Sequence, residues 1–316
     1  MLYLVIAIII FDFILDRYLD YLNSKTWRKS LPESVKDLYN SDQYARAQQY
    51  DKANNKFSIY SDTFSTSLTL ILILTGTFGL YNDWIISLTD NLLYQSVLFF
   101  GIVAVANDII TLPFSLYHTF VIEEKFGFNK MTLKTFFTDK IKGYLLGGII
   151  GGCLLAMFIF FFQFTGTLFW LYAWIVFSLF TLIMTMFYAS FILPLFNKLT
   201  PLPEGELRTA IEDYCRKVNF KLSNLFVMDG SKRSSKANAF FSGLGQKKRI
   251  VLFDTLIQQH STEELVAVLA HEIGHYKKKH TQQSFIISVL QTGFTLFIFS
   301  LFVNNASISS AFGSSH

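Results

Sequence analysis

The sequence predicts a mainly α-helical, multi-pass membrane protein with a small α+β domain inserted before its last span. Three observations carry that expectation. Of 316 residues, 52% are hydrophobic, 17% aromatic and only 16% charged, with 35 Phe, whereas a soluble domain is usually about a quarter charged. The apolar residues are gathered into runs long enough to cross ~30 Å of hydrocarbon. All 27 Lys and Arg fall within 17–56, 125–142 and 198–279, segments that alternate with stretches containing none. By the positive-inside rule those three segments face the cytosol and the N-terminus lies outside.

Residues 1–15 are apolar from the first methionine, with no basic n-region and no small-residue cleavage site. A retained anchor helix reaching about Leu22 is therefore expected in preference to a cleaved signal peptide. Asp12, Asp16 and Asp20 would give it one acidic stripe. Residues 23–62 are polar and rich in helix formers. Spans are then expected at Phe64–Leu80, Leu98–Phe120, Tyr144–Phe162 and Leu168–Phe196, and a sixth at Phe285–Val303. Asn107 and Asp108 interrupt the third span and Pro113 is expected to kink it. A carboxylate at that depth belongs in the bundle interior or against a watery cavity, as a polar wall or as a helix–helix hydrogen bond. Gly143, Gly147, Gly148, Gly151 and Gly152 form small-xxx-small pairs, a signal for close helix approach. Cys153 and Cys215 lie far apart and indicate neither a disulfide framework nor a thiolate metal site.

Residues 197–283 read as the soluble insert. Pro201 and Pro203 mark its start, and Glu204–Val218 has the pattern of an amphipathic helix. Leu225–Met228, Asn238–Gly243 and Arg249–Phe253 read as strands, the last two separated by a Gly-Gln-Lys-Lys turn. The next helix contains His271-Glu272-Ile273-Gly274-His275, an H-E-x-x-H motif. Side chains four residues apart share a helix face, so His271 and His275 can direct two imidazole nitrogens at one zinc ion. Glu272, one residue on, can reach a water that zinc acidifies, which is the chemistry of amide hydrolysis. Ser261 and Glu264 fit a capping box for this helix, and Leu265, Val266, Val268, Leu269 and Ile273 supply its apolar stripe. His280 lies off the ligand face, with no Gly following His275 to turn the chain, and reads as a second-shell or helix-end residue. Strands followed directly by the metal helix offer an edge on which an extended peptide can bind.

The sequence resembles the type I CAAX prenyl endopeptidases, multi-pass membrane zinc proteases of the gluzincin type. The residues that carry the resemblance occur in one order along most of the chain. They are Glu123–Lys130 (EEKFGFNK), Pro194–Lys198 (PLFNK), Pro201–Leu207, Asp229–Ser234 (DGSKRS), Asn238–Phe241, Arg249–Leu256 and the H-E-x-x-H helix ending near His280. The resemblance implies a ring of membrane helices around a water-filled chamber, closed on the cytosolic side by the zinc domain. It implies His271 and His275 as zinc ligands, Glu272 as general base, and Asn238, Ala239 and Phe240 as the substrate-binding edge strand. It also implies a seventh membrane helix and, beyond it, a Glu-x-x-x-Asp helix whose Glu is the third zinc ligand. This sequence contains neither, so it is expected to be the larger part of a longer protein that binds one zinc when complete.

The domain organisation expected is membrane helices one to five in 1–196, a partial zinc metalloprotease domain in 197–283, and the sixth helix with an interrupted loop in 284–316. The substrate expected is a peptide or protein with a C-terminal CAAX-type or membrane-embedded segment. Membrane lipid surrounds the protein, and no nucleic acid is involved. The location expected is a bacterial inner membrane or an endoplasmic reticulum membrane. Two other readings come from different classes. One is a non-catalytic peptide-binding or scaffold protein derived from the same family. The other is a secondary transporter built on Asn107, Asp108 and the Gly-rich span, which leaves the zinc helix without a purpose.

Overall fold

A computed structural model describes residues 1–27, 40–220, 224–242 and 249–313. The Gly-Gln-Lys-Lys turn, Gly243 and residues 28–39 of the first polar segment lie outside them. The chain forms two compact units, Met1–Gly127 with Leu301–His316, and Phe128–Ser300.

The first unit is helical. Helix α1 (Leu2–Ser24) is followed by α2 (Ser41–Leu74), α3 (Thr77–Leu88) and α4 (Leu92–Tyr117), which passes into a π-helical turn at His118–Glu123. The Asn40 side chain caps α2 by accepting from the backbone N–H of Asp42 at 2.8 Å. The span expected at Phe64–Leu80 is two helices. Gly76, at φ +66°, ends α2 because a left-handed residue cannot continue a right-handed helix, and α3 occupies what the hydropathy pattern leaves as a loop. Asn107 and Asp108 do not break α4, and Pro113 lies within it. Asn107 lines a cavity of about 390 Å³ between α2, α3 and α4 together with Phe64, Leu68 and Tyr81. Arg17 of α1 donates to Asp62 of α2 at 2.8 Å and pairs with Asp20 at 3.0 Å. Tyr50 of α2 donates to Glu123, and His118 and Asn54 share a hydrogen bond of 2.9 Å. These bonds tie the π-helical turn to α2.

The second unit begins with α5 (Leu133–Phe164), capped by Thr132, and α6 (Phe169–Phe191), followed by the single turn α7 (Leu193–Phe196). Strand β1 (Leu199–Pro201) leads to α8 (Glu206–Lys217), β2 (Leu225–Met228), β3 (Ala239–Ser242) and β4 (Arg249–Phe253). Then come α9 (Asp254–Gln259), α10 (Thr262–Lys277) and α11 (His280–Phe302). The sheet order is β1-β2-β4-β3. Strands β2 and β4 are parallel, with Leu225 opposite Ile250, and the other two pairings are antiparallel. Strand β1 is not legible in the sequence, where Pro201 and Pro203 mark only the start of the insert. Pro201 is tolerated there because β1 is an edge strand and needs no ladder donor on its open side.

The sheet is covered on both faces, and the alternation of strand side chains assigns each residue to one. Ile250 and Leu252 join Leu225, Ile211 and Cys215 of α8 and Leu265, Leu269 and Ile273 of α10 in one core. Val251 and Met228 point to the other face, against Ala189 of α6 and Leu193 of α7. Burial of a large apolar side chain contributes about 1.5–3 kcal/mol, so the sheet is held firmly to the end of a long apolar helix.

Among the described residues, five helical stretches are long and apolar enough to cross a membrane: Ser41–Leu74, Leu92–Glu123, Leu133–Phe164, Gly166–Phe196 and His280–Phe302. The first expected span, α1, has the length but carries Asp12, Asp16, Arg17 and Asp20 and is not one of them. The close approach expected at Gly143, Gly147, Gly148, Gly151 and Gly152 is not found. Among the described residues, nothing beyond the adjacent backbone of α5 itself lies within 4 Å of where a Cβ on any of them would sit. Helix α5 meets α6 through aromatic side chains instead, Phe158 and Phe162 edge-on to Phe169 and Phe161 stacked on Tyr172. Between α6 and α11 a tight contact lies at Gly293, where a Cβ would come within 2.8 Å of the Trp174 indole. That ring is held in place by its Nε1–H donating to the Val289 carbonyl at 2.8 Å. Gly293→Val is therefore expected to overpack the α6–α11 contact and cost about 1–3 kcal/mol. Thermal unfolding in detergent checks this, and an unchanged midpoint would show that the indole moves aside freely.

Candidate metal centre

Helix α10 presents the candidate site. Ser261 caps it by accepting from the Glu264 backbone N–H, while the Glu264 carboxylate accepts from the Ser261 N–H at 2.9 Å, the expected capping box. That backbone bond, with a further bond from His260, holds the Glu264 carboxyl below its usual range. A carboxyl with a lowered folded-state pKa stabilises above the ordinary carboxylate range, and the contribution is lost as pH falls through the folded value. Leu265, Leu269 and Ile273 are 3%, 0% and 2% exposed, which fixes the rotation of the helix.

His271 and His275 lie on the side of α10 away from that stripe, and both are exposed. Their Nε2 atoms are 2.9 Å apart and their ring centroids 4.6 Å apart. Two ligands at ~2.0–2.1 Å from one tetrahedral zinc ion span roughly 3.3 Å, so the pair fits a shared ion with a small adjustment. Glu272 is half-buried between them in sequence. Among the described residues, no group of three or more His, Cys, Asp or Glu is placed to hold a metal, so the pair supplies part of a ligand set. Glu263 and Glu264 belong to the first turn of the helix and do not complete it.

After Lys277 the chain does turn, without a glycine. Lys279 adopts φ +60° and its N–H donates to the Tyr276 carbonyl at 2.8 Å. His280, the first residue of α11, thereby returns to α10 with its Nδ1 2.8 Å from Nδ1 of His275. The sequence reading has His280 off the ligand face, and in the structure it meets His275 at Nδ1, not at the Nε2 that faces His271. What the sequence did not reveal is the direct contact, because a left-handed Lys leaves no compositional mark.

The strand residues singled out in the sequence fall on the edge strand β3 or next to it, and α10 packs against that strand. Phe241 stacks on Tyr276 with ring centroids 5.5 Å apart, and Tyr276 also meets Phe220 edge-on. Ala239 faces the α8–α10 core, whereas Phe240 turns to the other face of the sheet and packs against Phe253. The Asn238 carbonyl accepts from the Phe253 N–H, and its side chain accepts from the Ala239 N–H at 2.8 Å. The structure thus brings His271, Glu272 and His275 together on one helix, with Ala239 and Phe240 on the adjoining strand and Asn238 just before it.

Residues 20–198 match the family described as CAAX prenyl protease N-terminal, five membrane helices, and residues 201–315 match peptidase family M48. The chain is 38% identical over 315 residues to CAAX prenyl protease 1 of Saccharomyces cerevisiae, covering 96% of this chain and 69% of that protein. It is 32% identical to the human CAAX prenyl protease 1 homolog, covering 90% and 69%. Among solved structures, the crystal structure of S. mikatae Ste24p superposes with a TM-score of 0.91 at 38% identity, over 99% of this chain and 74% of that one. The chain is a multi-pass integral membrane protein of a family whose peptidase domain implies a metal. It belongs to the CAAX prenyl protease 1 family of M48 metallopeptidases.

Proposed function

We propose that this protein is a zinc endopeptidase that cleaves peptide bonds near the C-terminus of prenylated CAAX-type or other membrane-associated substrates. The observation that carries the reading is the convergence of the His271 and His275 Nε2 atoms, 2.9 Å apart, on the exposed face of α10. The names of the relatives, which are CAAX prenyl proteases, support the substrate class. The proposed division is membrane helices in 1–196, the metalloprotease domain in 197–283 and a further membrane helix in 284–316.

His271 and His275 would hold zinc through Nε2, with a third donor completing the set. When bound, zinc supplies Lewis-acid polarisation of the scissile carbonyl and acidification of water. Glu272 takes the proton of the attacking water and passes it to the leaving amine, as a positioned carboxylate does in general base catalysis. The free edge of β3 pairs with the extended substrate backbone through Asn238, Ala239 and Phe240, the usual mode of strand addition. The distribution of Lys and Arg supports a catalytic domain facing the cytosol and an N-terminus on the other side, as in an endoplasmic reticulum or bacterial inner membrane.

In the full-length protein, Glu272→Gln is expected to lower cleavage of a prenylated CAAX peptide by at least about 100-fold while one zinc per chain is kept. His271→Ala is expected to lose both. Elemental analysis with a cleavage assay checks them, and unimpaired turnover by Glu272→Gln would remove Glu272 as the base. Orientation is tested separately. With Cys153 and Cys215 replaced, a cysteine at the exposed Lys232 should react with an impermeant maleimide from the cytosolic side only.

A further inference from the structure

We propose that His280 is a positioning residue for the metal centre, accepting the Nδ1–H proton of His275 and fixing His275 in the tautomer that can ligate. The proposal rests on the assignment of His271 and His275 as ligands. A neutral imidazole carries one proton on one of its two nitrogens. For His275 to offer its Nε2 lone pair beside His271, that proton must sit on Nδ1, and whatever faces Nδ1 must accept it. The atom that faces it is Nδ1 of His280, at 2.8 Å, with the two rings inclined by 72°. His280 then carries its own proton on Nε2. The two sides of His275 are therefore divided, Nε2 towards His271 at 2.9 Å and Nδ1 towards His280.

The backbone is arranged to make this contact. Lys279 takes the left-handed conformation, at φ +60°, which costs an L-residue with a Cβ. The turn is closed by hydrogen bonds from Lys278 N–H to the Gly274 carbonyl and from Lys279 N–H to the Tyr276 carbonyl. Lys277, Lys278 and Lys279 are all exposed around it. An ammonium in the place of His280 could only donate, and would favour the opposite tautomer of His275. Partners of this kind fix the orientation and basicity of a ligating histidine, and their loss typically weakens metal affinity by 10–100-fold. His280 acts through His275 and is not itself among a group placed to hold the ion.

The test uses the full-length protein in nanodiscs, with zinc affinity read by chelator competition and histidine tautomers by ¹⁵N NMR. His280→Ala is expected to weaken zinc binding by roughly 10–100-fold and to leave His275 as a mixture of tautomers. His280→Asn, whose Oδ1 can accept the same proton, is expected to stay within a few-fold of wild type and to keep His275 as the Nδ1–H form. Thermal unfolding of each variant reports any loss of folding. Wild-type affinity in His280→Ala, or equal weakening in His280→Ala and His280→Asn, would overturn the positioning role. His271→Ala separates the two levels. If it binds zinc as wild type does, the ligand assignment falls and this proposal with it. If it loses zinc while His280→Ala does not, the positioning role alone falls.

Discussion

The site depends on the rotation of α10 about its own axis. Leu265, Leu269 and Ile273 recur at four-residue spacing and are almost fully buried against β4 and α8. His271 and His275 have the same spacing but are offset by two residues, which is a rotation of roughly 200° on a helix of 3.6 residues per turn. Burying one stripe therefore obliges the other to face outwards. The capping box at Ser261 and Glu264 fixes where the helix starts, and Tyr276, packed on Phe241 and Phe220, fixes where it ends. The histidine pair is exposed because the leucine stripe is not.

A second constraint is polar. Arg233 donates to both carboxylate oxygens of Asp139, at 2.7 and 2.9 Å, and to the Phe196 carbonyl at 2.7 Å. A bidentate guanidinium–carboxylate pair fixes direction as well as distance, so the turn after β2 is locked to the start of α5 and the end of α7. Around it, the Lys130 N–H donates to the Arg233 carbonyl and the Ser235 N–H to that of Phe128. The Asp229 carboxylate accepts from the N–H of Lys198, and that of Asp254 from the N–H of Ser231. Sequence blocks that stand far apart, Phe128–Lys130, Phe196–Lys198 and Asp229–Ser235, thus meet at one junction. Their part in the protein is mechanical: they hold the sheet on the helices that cross the membrane.

The membrane helices were legible as hydrophobic runs but not as lengths. Helix α5 begins eleven residues before the apolar run that betrays it, and α2 more than twenty, because a helix continues beyond the hydrocarbon wherever a cap and good helix formers allow. Hydropathy reports solvent, not backbone. The glycines of α5 show the converse. Small residues permit close approach, but where helices actually close up is decided by the partner, and here the partner contact is Trp174 against Gly293.

The sequence by itself determined the chemistry and the class of the fold. The H-E-x-x-H spacing, the capping box, the apolar stripe and the alternation of Lys and Arg are all local or periodic, and a helix converts such patterns directly into faces. Tertiary structure alone decided what depends on contacts between distant residues. It placed β1 at the edge of the sheet, turned Ala239 rather than Phe240 to the face covered by α8 and α10, and joined Arg233 to Asp139. It also brought His280 back to His275 through a left-handed Lys279. That last contact turns on a single backbone dihedral, and a dihedral leaves no pattern in the sequence of side chains.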